Sequence, residues 1–348
     1  MKVRAAVTFD NKDTFHFTEL FLREPLEDEV LVKIQATGLC NCDLHYMHDN
    51  SQPYPIVMGH EGAGIIEKLG SKVTNFRVGD RVIIATNHCG KCQKCKEGLF
   101  YDCEKVMDYW VGNQVDRKSP LTLKSENGEE KEVTTFSCHA TFADHAVVKA
   151  CTLVKVEHDD VELKHVCFLG CCPITGAGSV FNYFKAKAGQ SIVISRMGTV
   201  GLCCVMAAKI AGLSKIVAID RHNEKLELAR KFGATATINP VDDENLDGMT
   251  GDFDFAAEST GNKELSQKID KHLQESTMRY DINGSVDWPF ACIGNSIKDQ
   301  FIPQMIEYFR QGKFPIDQFL TYYKFDDIEK AYNDLKNKKV IRPILLLD

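Results

Sequence analysis

The chain has 348 residues, 44% of them hydrophobic and 26% charged, with a formal net charge of −7. That length suits two domains, each able to bury its own core, and the acidic balance argues against a nucleic-acid partner or an acidic membrane surface. No apolar run approaches the ~20 residues that span a bilayer; Met1–Asp10 alternates like a strand, not a signal peptide, so the expected location is cytoplasmic.

Residues 1–90 read as short alternating strands cut by Gly and Pro, at Lys2–Thr8, Glu29–Thr37, Gly62–Leu69 and Asp80–Thr86. That pattern suits a β-barrel-like domain. Asn113–Glu132 is polar and carries Lys-Ser-Pro and Glu-Asn-Gly-Glu-Glu, the composition of an exposed loop. Strand pattern returns at Thr141–Val148 and Leu153–Val156. From about Gly189 the texture changes: strand Ser191–Ser195, helix Thr199–Ala211, strand Lys215–Asp220, helix Asn223–Phe232, then strands Ala234–Ile238 and Asp254–Ala257. Such interleaving implies right-handed βαβ units and a parallel sheet. A helical segment at Gln300–Gly312 and a last strand at Ile341–Leu347 complete the reading.

Three groups of residues carry chemistry. Cys89, Cys92, Cys95 and Cys103 form a C-x₂-C-x₂-C-x₇-C ladder broken by Gly90 and Gly98. Four thiolates at that spacing can converge on one tetrahedral Zn²⁺ with no position left for water, which is a structural site. The fourteen cysteines of the chain thus fit a reducing setting in which thiolates bind metal.

The second group is Arg196-Met197-Gly198-Thr199-Val200-Gly201, which follows a strand and opens a helix. This is the G-x-G-x-x-G context with arginine in place of its first glycine. Gly198 admits a pyrophosphate close to the backbone, Gly201 lets helix and strand pack closely, and the helix N-terminus supplies positive charge. Asp220 stands about 20 residues further on, where a carboxylate takes the ribose hydroxyls and favours NAD over NADP. Arg221 and His222, directly after it, leave room for the phosphorylated form.

The third group is scattered: Cys40 within Gly38–His45, His60 within Gly59–Gly64, and Cys171 within Gly170–Gly176. Two Cys and one His leave a fourth coordination position open, the pattern of a catalytic zinc.

With these motifs and Gly79-Asp80-Arg81-Val82, the chain resembles the zinc-dependent medium-chain dehydrogenase/reductase family almost end to end. The resemblance implies an α/β fold with a doubly wound parallel-sheet (Rossmann) cofactor domain at 174–297. A β-rich GroES-like catalytic domain would comprise 1–173 and 298–348, with a structural zinc lobe at about 87–105. By the same resemblance Cys40, His60 and Cys171 bind catalytic zinc, Glu61 is a neighbouring or transient ligand, and Asp43 orients His60. A proton would leave through Cys42 or water to His45. Thr175 and Val200 would pack near the nicotinamide, Lys225 would reach the adenosine ribose, and Arg342 the pyrophosphate.

Two zinc ions per chain, NAD, an alcohol/aldehyde pair and a homo-oligomer follow from the family. Gly170-Cys171 looks like the alcohol dehydrogenases, and Ser137–Val148 and Phe325–Pro343 look like their aryl (benzyl) alcohol branch; His45-Tyr46 is reminiscent of the polyol branch. Three features depart from the pattern. Cys42 stands where Ser or Thr is usual, Arg196 replaces a glycine, and Leu265–Gln300 is too short for the second half of the cofactor sheet, with only Met278–Ile282 and Phe290–Ile293 as candidate strands. A catalytically impaired zinc- and nucleotide-binding relative is the alternative these departures raise.

Overall fold

The computed structural model describes residues 1–48, 53–110, 117–124, 127–282, 284–288 and 292–347. The chain divides into two compact units, Met1–Cys171 with Ile316–Asp348, and Cys172–Pro315.

The first unit opens with β1 (Lys2–Thr8), β2 (His16–Leu22) and β3 (Glu29–Gly38), then α1 (Asn41–Met47), β4 (Ile56–Val57), β5 (Glu61–Leu69) and β6 (Arg81–Ile84). The short helices α2 (Gln93–Lys96) and α3 (Val106–Trp110) precede β7 (Leu121–Lys124), β8 (Glu130–Thr135), β9 (His145–Lys149), β10 (Leu153–Lys155) and α4 (Leu163–Val166). The second unit runs α5 (Cys172–Gly178), β11 (Ser191–Ser195), α6 (Thr199–Ile210), β12 (Lys215–Ile219), α7 (Asn223–Phe232), β13 (Ala236–Ile238), β14 (Phe255–Glu258), α8 (Lys263–Asp270), β15 (Met278–Asp281) and α9 (Lys298–Arg310). The chain then returns to the first unit with β16 (Leu320–Lys324), α10 (Ile328–Lys336) and β17 (Arg342–Leu346).

In the first unit β1, β2, β7, β8 and β4 close into a barrel, and a second sheet runs β10-β6-β5-β3-β17-β16, with β9 also on β3. The last strand, β17, pairs antiparallel with β3 through Ile344 opposite Gly38. The C-terminus is thereby laid along the strand that leads into the first metal-ligand segment. The second unit holds a parallel sheet ordered β13-β12-β11-β14-β15. Its central strand β11 buries Ile192, Val193 and Ile194, as a strand covered on both faces must. Helix α6 approaches α5 so closely that a Cβ on Gly176 would lie 2.3 Å from the Val200 carbonyl oxygen.

Three expectations are corrected. The polar stretch Asn113–Glu132 is not all loop, since β7 and β8 pair antiparallel within it and after it. Leu121 and Val133, 1% and 0% exposed, anchor that hairpin in the barrel core; residues 113–116 and 125–126 lie outside the described residues. The candidate strand Phe290–Ile293 lies outside them at Phe290 and Ala291, and Cys292–Asn295 forms a 3₁₀ turn with left-handed backbone at Ile293 and Gly294. Residues 298–315 belong with the second unit rather than the first. Phe301 and Tyr308 of α9 pack against Phe181 of that unit, with ring centroids 6.0 and 5.9 Å away. Among the described residues no single helix is long and apolar enough to cross a membrane.

Gly64 sits beside a register shift between β3 and β5, where a Cβ would lie 1.9 Å from the Lys33 carbonyl oxygen. Gly64→Ala therefore costs about 3 kcal/mol through forced strand separation, read as a lowered Tm of the first unit by calorimetry; an unchanged Tm would show that the bulge absorbs a methyl.

Candidate metal centres and nucleotide turn

The cysteine ladder folds around α2, whose N-cap is Cys92. Gly90 and Gly98 take the left-handed conformations, φ 68° and 80°, that turn the chain back on itself. The sulfurs of Cys89, Cys92, Cys95 and Cys103 all lie within 4.8 Å of one another. Backbone amides point at them: Lys91 and Cys92 donate to Cys89 Sγ at 3.4 and 3.3 Å, and Cys89 and Lys105 to Cys103 Sγ at 3.3 and 3.4 Å. Burial works against ionising Cys89, but the Lys91 and Cys92 amides bring its thiol down to about 6. Burial pushes Cys95 the other way. Four converging sulfurs with amides aimed at them fit a tetrahedral thiolate site for zinc.

The other centre is assembled by one carboxylate. Cys40 is extended, φ −106° and ψ 155°, at the N-cap of α1. Asp43 on the first turn of that helix accepts the Cys40 amide at 2.9 Å and the Gly59 amide at 3.1 Å. The same carboxylate lies 3.2 Å from His60 Nδ1, which turns Nε2 toward Cys171 Sγ at 3.3 Å. Burial penalises the imidazolium, yet the Asp43 charge outweighs it and holds His60 well above its usual range. Donor atoms of Cys40, His60, Glu61 and Cys171 lie within 4.8 Å of one another, and each of these residues is at most 9% exposed.

Glu61 is fully buried; its Oε2 accepts from Arg342 Nη1 at 2.7 Å, while Oε1 has no hydrogen-bond partner among the described residues. Burial raises its carboxyl to about 7 against the pull of Arg342. An orphaned carboxylate oxygen beside two thiols and an imidazole fits a cation in their midst. Arg342, expected at a pyrophosphate, is itself 1% exposed, donates also to the Leu39 carbonyl at 3.2 Å, and lies over the Phe168 ring at 5.5 Å.

Cys42, one residue into α1, turns its thiol into this cluster, against Cys171, Cys40 and His60. The Cys171 thiol alongside draws it down; Cys40 and burial outweigh that and push it up to about 11. His45 on the same helix is exposed, its ring edge-on to Tyr46 at 5.1 Å. No hydrogen bond joins it to Cys42 among the described residues.

An aromatic wall that motif reading missed surrounds His60. Trp110 and Phe136 meet its ring edge-on at 5.1 and 5.4 Å, and Tyr46 packs on both, at 6.4 and 5.4 Å. No spacing rule flags these rings, because three separate segments bring them together. The chain after Phe136 is strained: Ser137, Cys138 and Ala140 have φ of 53°, 59° and 54°, which costs on the order of 1 kcal/mol each outside glycine. Within that turn His139 is 2% exposed, with neither ring nitrogen hydrogen-bonded among the described residues. Burial and then the His60 charge push it down to about 3, so it is neutral.

In the second unit, the β11–α6 turn places Arg196 at φ 69°, the left-handed conformation that its glycine counterpart would adopt freely. Its Nη1 donates to the Ser259 carbonyl at 2.9 Å. Gly198 caps α6, and a Cβ on Gly201 would lie 2.0 Å from the Arg196 carbonyl oxygen. Thr199 is buried, and Val200, Thr175 and Lys225 are half-buried, on the first turn of α6, on α5 and on the first turn of α7. Asp220, 7% exposed, accepts the Met197 amide at 2.7 Å and the His222 amide at 2.9 Å, so it also fixes the turn.

Removing the carboxylate that aligns His60 with the Cys40 and Gly59 amides tests the metal centre. Asp43→Ala weakens metal binding there by about 10–100-fold, measured by competition with a chelator, while the cysteine ladder keeps its ion. Equal affinity in parent and variant would mean that Asp43 does not align the ligands.

Known proteins share this arrangement. Residues 26–158 match the family model described as the alcohol dehydrogenase GroES-like domain, and residues 199–277 the one described as zinc-binding dehydrogenase. The class-3 alcohol dehydrogenase of Myxine glutinosa is 30% identical over 99% of this chain and 97% of its own. The S-(hydroxymethyl)glutathione dehydrogenase of an Escherichia coli O6:H1 strain is 30% identical over 99% of this chain and 100% of its own. Among solved structures, the benzyl alcohol dehydrogenase of Acinetobacter calcoaceticus matches with a TM-score of 0.91 and 31% identity over 100% of both chains. An alcohol dehydrogenase zinc-binding domain protein of Burkholderia ambifaria gives 0.92 and 31%, over 100% of this chain and 99% of its own. With a GroES-like barrel, a Rossmann-type sheet and two convergent thiol-rich donor sets, this chain belongs to the zinc-dependent medium-chain dehydrogenase/reductase family and is an enzyme of its alcohol dehydrogenase type.

Proposed function

We propose that the enzyme interconverts a primary aromatic alcohol and its aldehyde, with NAD as the hydride carrier. The observation that carries this reading is the wall of Tyr46, Trp110 and Phe136 against the His60 face of the Cys40–His60–Cys171 donor set. A flat apolar substrate stacks there with its oxygen at the donor set. The aryl side chain is worth more to such a wall than an alkyl chain of the same length. The name of the Acinetobacter relative, a benzyl alcohol dehydrogenase, supports the same substrate class.

When bound by Cys40, His60 and Cys171, zinc supplies Lewis-acid polarisation of the substrate oxygen. The protein's own part is positional. Asp43 fixes the His60 tautomer and ring plane, and the aromatic rings exclude water from the reacting carbon. Asp220 at the end of β12 would take the adenosine ribose hydroxyls, and the α6 N-terminus would hold the pyrophosphate. The net reaction moves a hydride from the alcohol carbon to the nicotinamide and releases the hydroxyl proton.

Oxidation of NADH with benzaldehyde and acetaldehyde, followed at 340 nm alongside zinc content, tests the reading directly. In that assay Trp110→Ala lowers kcat/KM for benzaldehyde about tenfold more than for acetaldehyde. An equal loss with both would remove the aromatic wall from substrate recognition.

Cofactor choice has its own test. Asp220→Gly raises KM for NAD and narrows the NAD-over-NADP preference by about tenfold, because the ribose hydroxyls lose a charged acceptor. An unchanged preference would assign the ribose to Arg221 and His222 instead.

A further inference from the structure

Arg196 stands where the first glycine of the nucleotide turn belongs, and its side chain stays at that turn. Its amide donates to the Ile219 carbonyl at 2.7 Å, and the φ of 69° then swings the chain toward α6. Apart from its chain neighbours, a Cβ built on Gly198 would meet one atom within 4 Å, Arg196 Nε at 3.9 Å. The space in front of Gly198 is thus open, with the guanidinium at its rim. Gly198 is the N-cap of the 12-residue helix α6 and brings no side chain to that helix's first amides. An open cradle at a helix N-terminus, edged by a cation, fits an anionic group such as a pyrophosphate.

The guanidinium is fixed by one of its five N–H groups. Nη1 donates to the Ser259 carbonyl at 2.9 Å, while Nε and Nη2 meet no acceptor, and no carboxylate pairs with them, among the described residues. Ser259 is itself held: its hydroxyl donates to the Ser195 carbonyl at 2.8 Å, and the buried Glu258 takes the Thr260 and Gly261 amides at 2.6 and 3.0 Å. The unused Nε–H and Nη2–H form one edge of the fork, the edge that takes two phosphate oxygens in parallel.

The strand order β12-β11-β14 puts Asp220 and Ser259 on opposite sides of the turn. The Met197 amide ties the turn to Asp220 at 2.7 Å, and the guanidinium leaves the other way. In a doubly wound sheet the adenosine ribose lies at the carboxylate after the second strand, the pyrophosphate at the helix N-terminus and the nicotinamide half beyond it. Arg196 therefore stands on the nicotinamide side of the pyrophosphate position, away from the hydroxyls that separate NAD from NADP.

We propose that Arg196 binds the cofactor's pyrophosphate from the β14 side, so that this turn exchanges the freedom of a glycine for a positioned cation. The proposal rests on the reading of NAD as cofactor with Asp220 at its ribose.

Calorimetric titration of the zinc-loaded protein with NADH, ADP-ribose and adenosine separates the roles. Arg196→Gly, which holds the left-handed turn freely, weakens NADH and ADP-ribose about 10–100-fold. It leaves adenosine binding and the NAD-over-NADP preference unchanged. Arg196→Lys recovers part of the loss, because the charge returns without the fork. Equal losses for NADH and adenosine overturn the proposal and make Arg196 a prop of the turn. Unchanged or tighter NADH binding in the glycine variant overturns it as well. A parent with no affinity for NADH or ADP-ribose overturns the cofactor reading instead. Should the glycine variant misfold, Arg196→Asn reads the same split between NADH and adenosine; loss of the fold in both assigns Arg196 to structure alone and overturns the proposal.

Discussion

The metal centre depends on one buried carboxylate. Asp43 is 1% exposed, and such a group is costly to desolvate unless its oxygens are fully engaged. Here Oδ2 takes the Cys40 amide, while Oδ1 takes the Gly59 amide and faces His60 Nδ1. Those bonds join the start of α1 to the turn before β5, so two ligand-bearing segments far apart in sequence acquire a fixed separation. The turn itself admits only glycine at position 59: φ is 90°, and a Cβ would meet the Phe142 ring at 2.5 Å. With His60 clamped, its other nitrogen faces Cys171 at 3.3 Å. Preorganisation of the donor set is therefore a property of the protein's hydrogen bonds.

The nucleotide turn solves a similar problem at a cost. Arg196 holds a left-handed backbone that glycine would hold without strain, roughly 1 kcal/mol. The guanidinium bond to the Ser259 carbonyl ties the turn to the end of β14, and Asp220 ties it to β12 through the Met197 amide. Neighbouring strands on both sides of β11 thus hold the turn from which α6 departs. The departure from the glycine pattern is compensated locally, and this argues against a degraded site.

The two donor sets and the strand–turn–helix around Gly198 were legible in the sequence because their chemistry imposes spacing: x₂ steps in a turn, a strand-to-helix glycine, a carboxylate after the next strand. The aromatic wall was not, since Tyr46, Trp110 and Phe136 have no fixed spacing and meet only through tertiary packing. The polar hairpin of β7 and β8 hid for a related reason. Its register is set by two buried residues, Leu121 and Val133, in a run of charged ones. Arg342, which the family resemblance expects at the pyrophosphate, is also bonded to Glu61 and the Leu39 carbonyl.

That last pair explains why the C-terminus returns to the first unit. Arg342 opens β17, which pairs with β3 and so lies against the strand that carries Gly38 and leads to Cys40. Breaking the pair would strand a buried carboxylate without its counter-charge, a loss far larger than any gain from forming it. The final strand is thus held by electrostatics at its first residue and by sheet pairing along its length. Glu61 in turn is held beside the donor set by Arg342. The rigidity of the centre resides in Asp43 and Arg342.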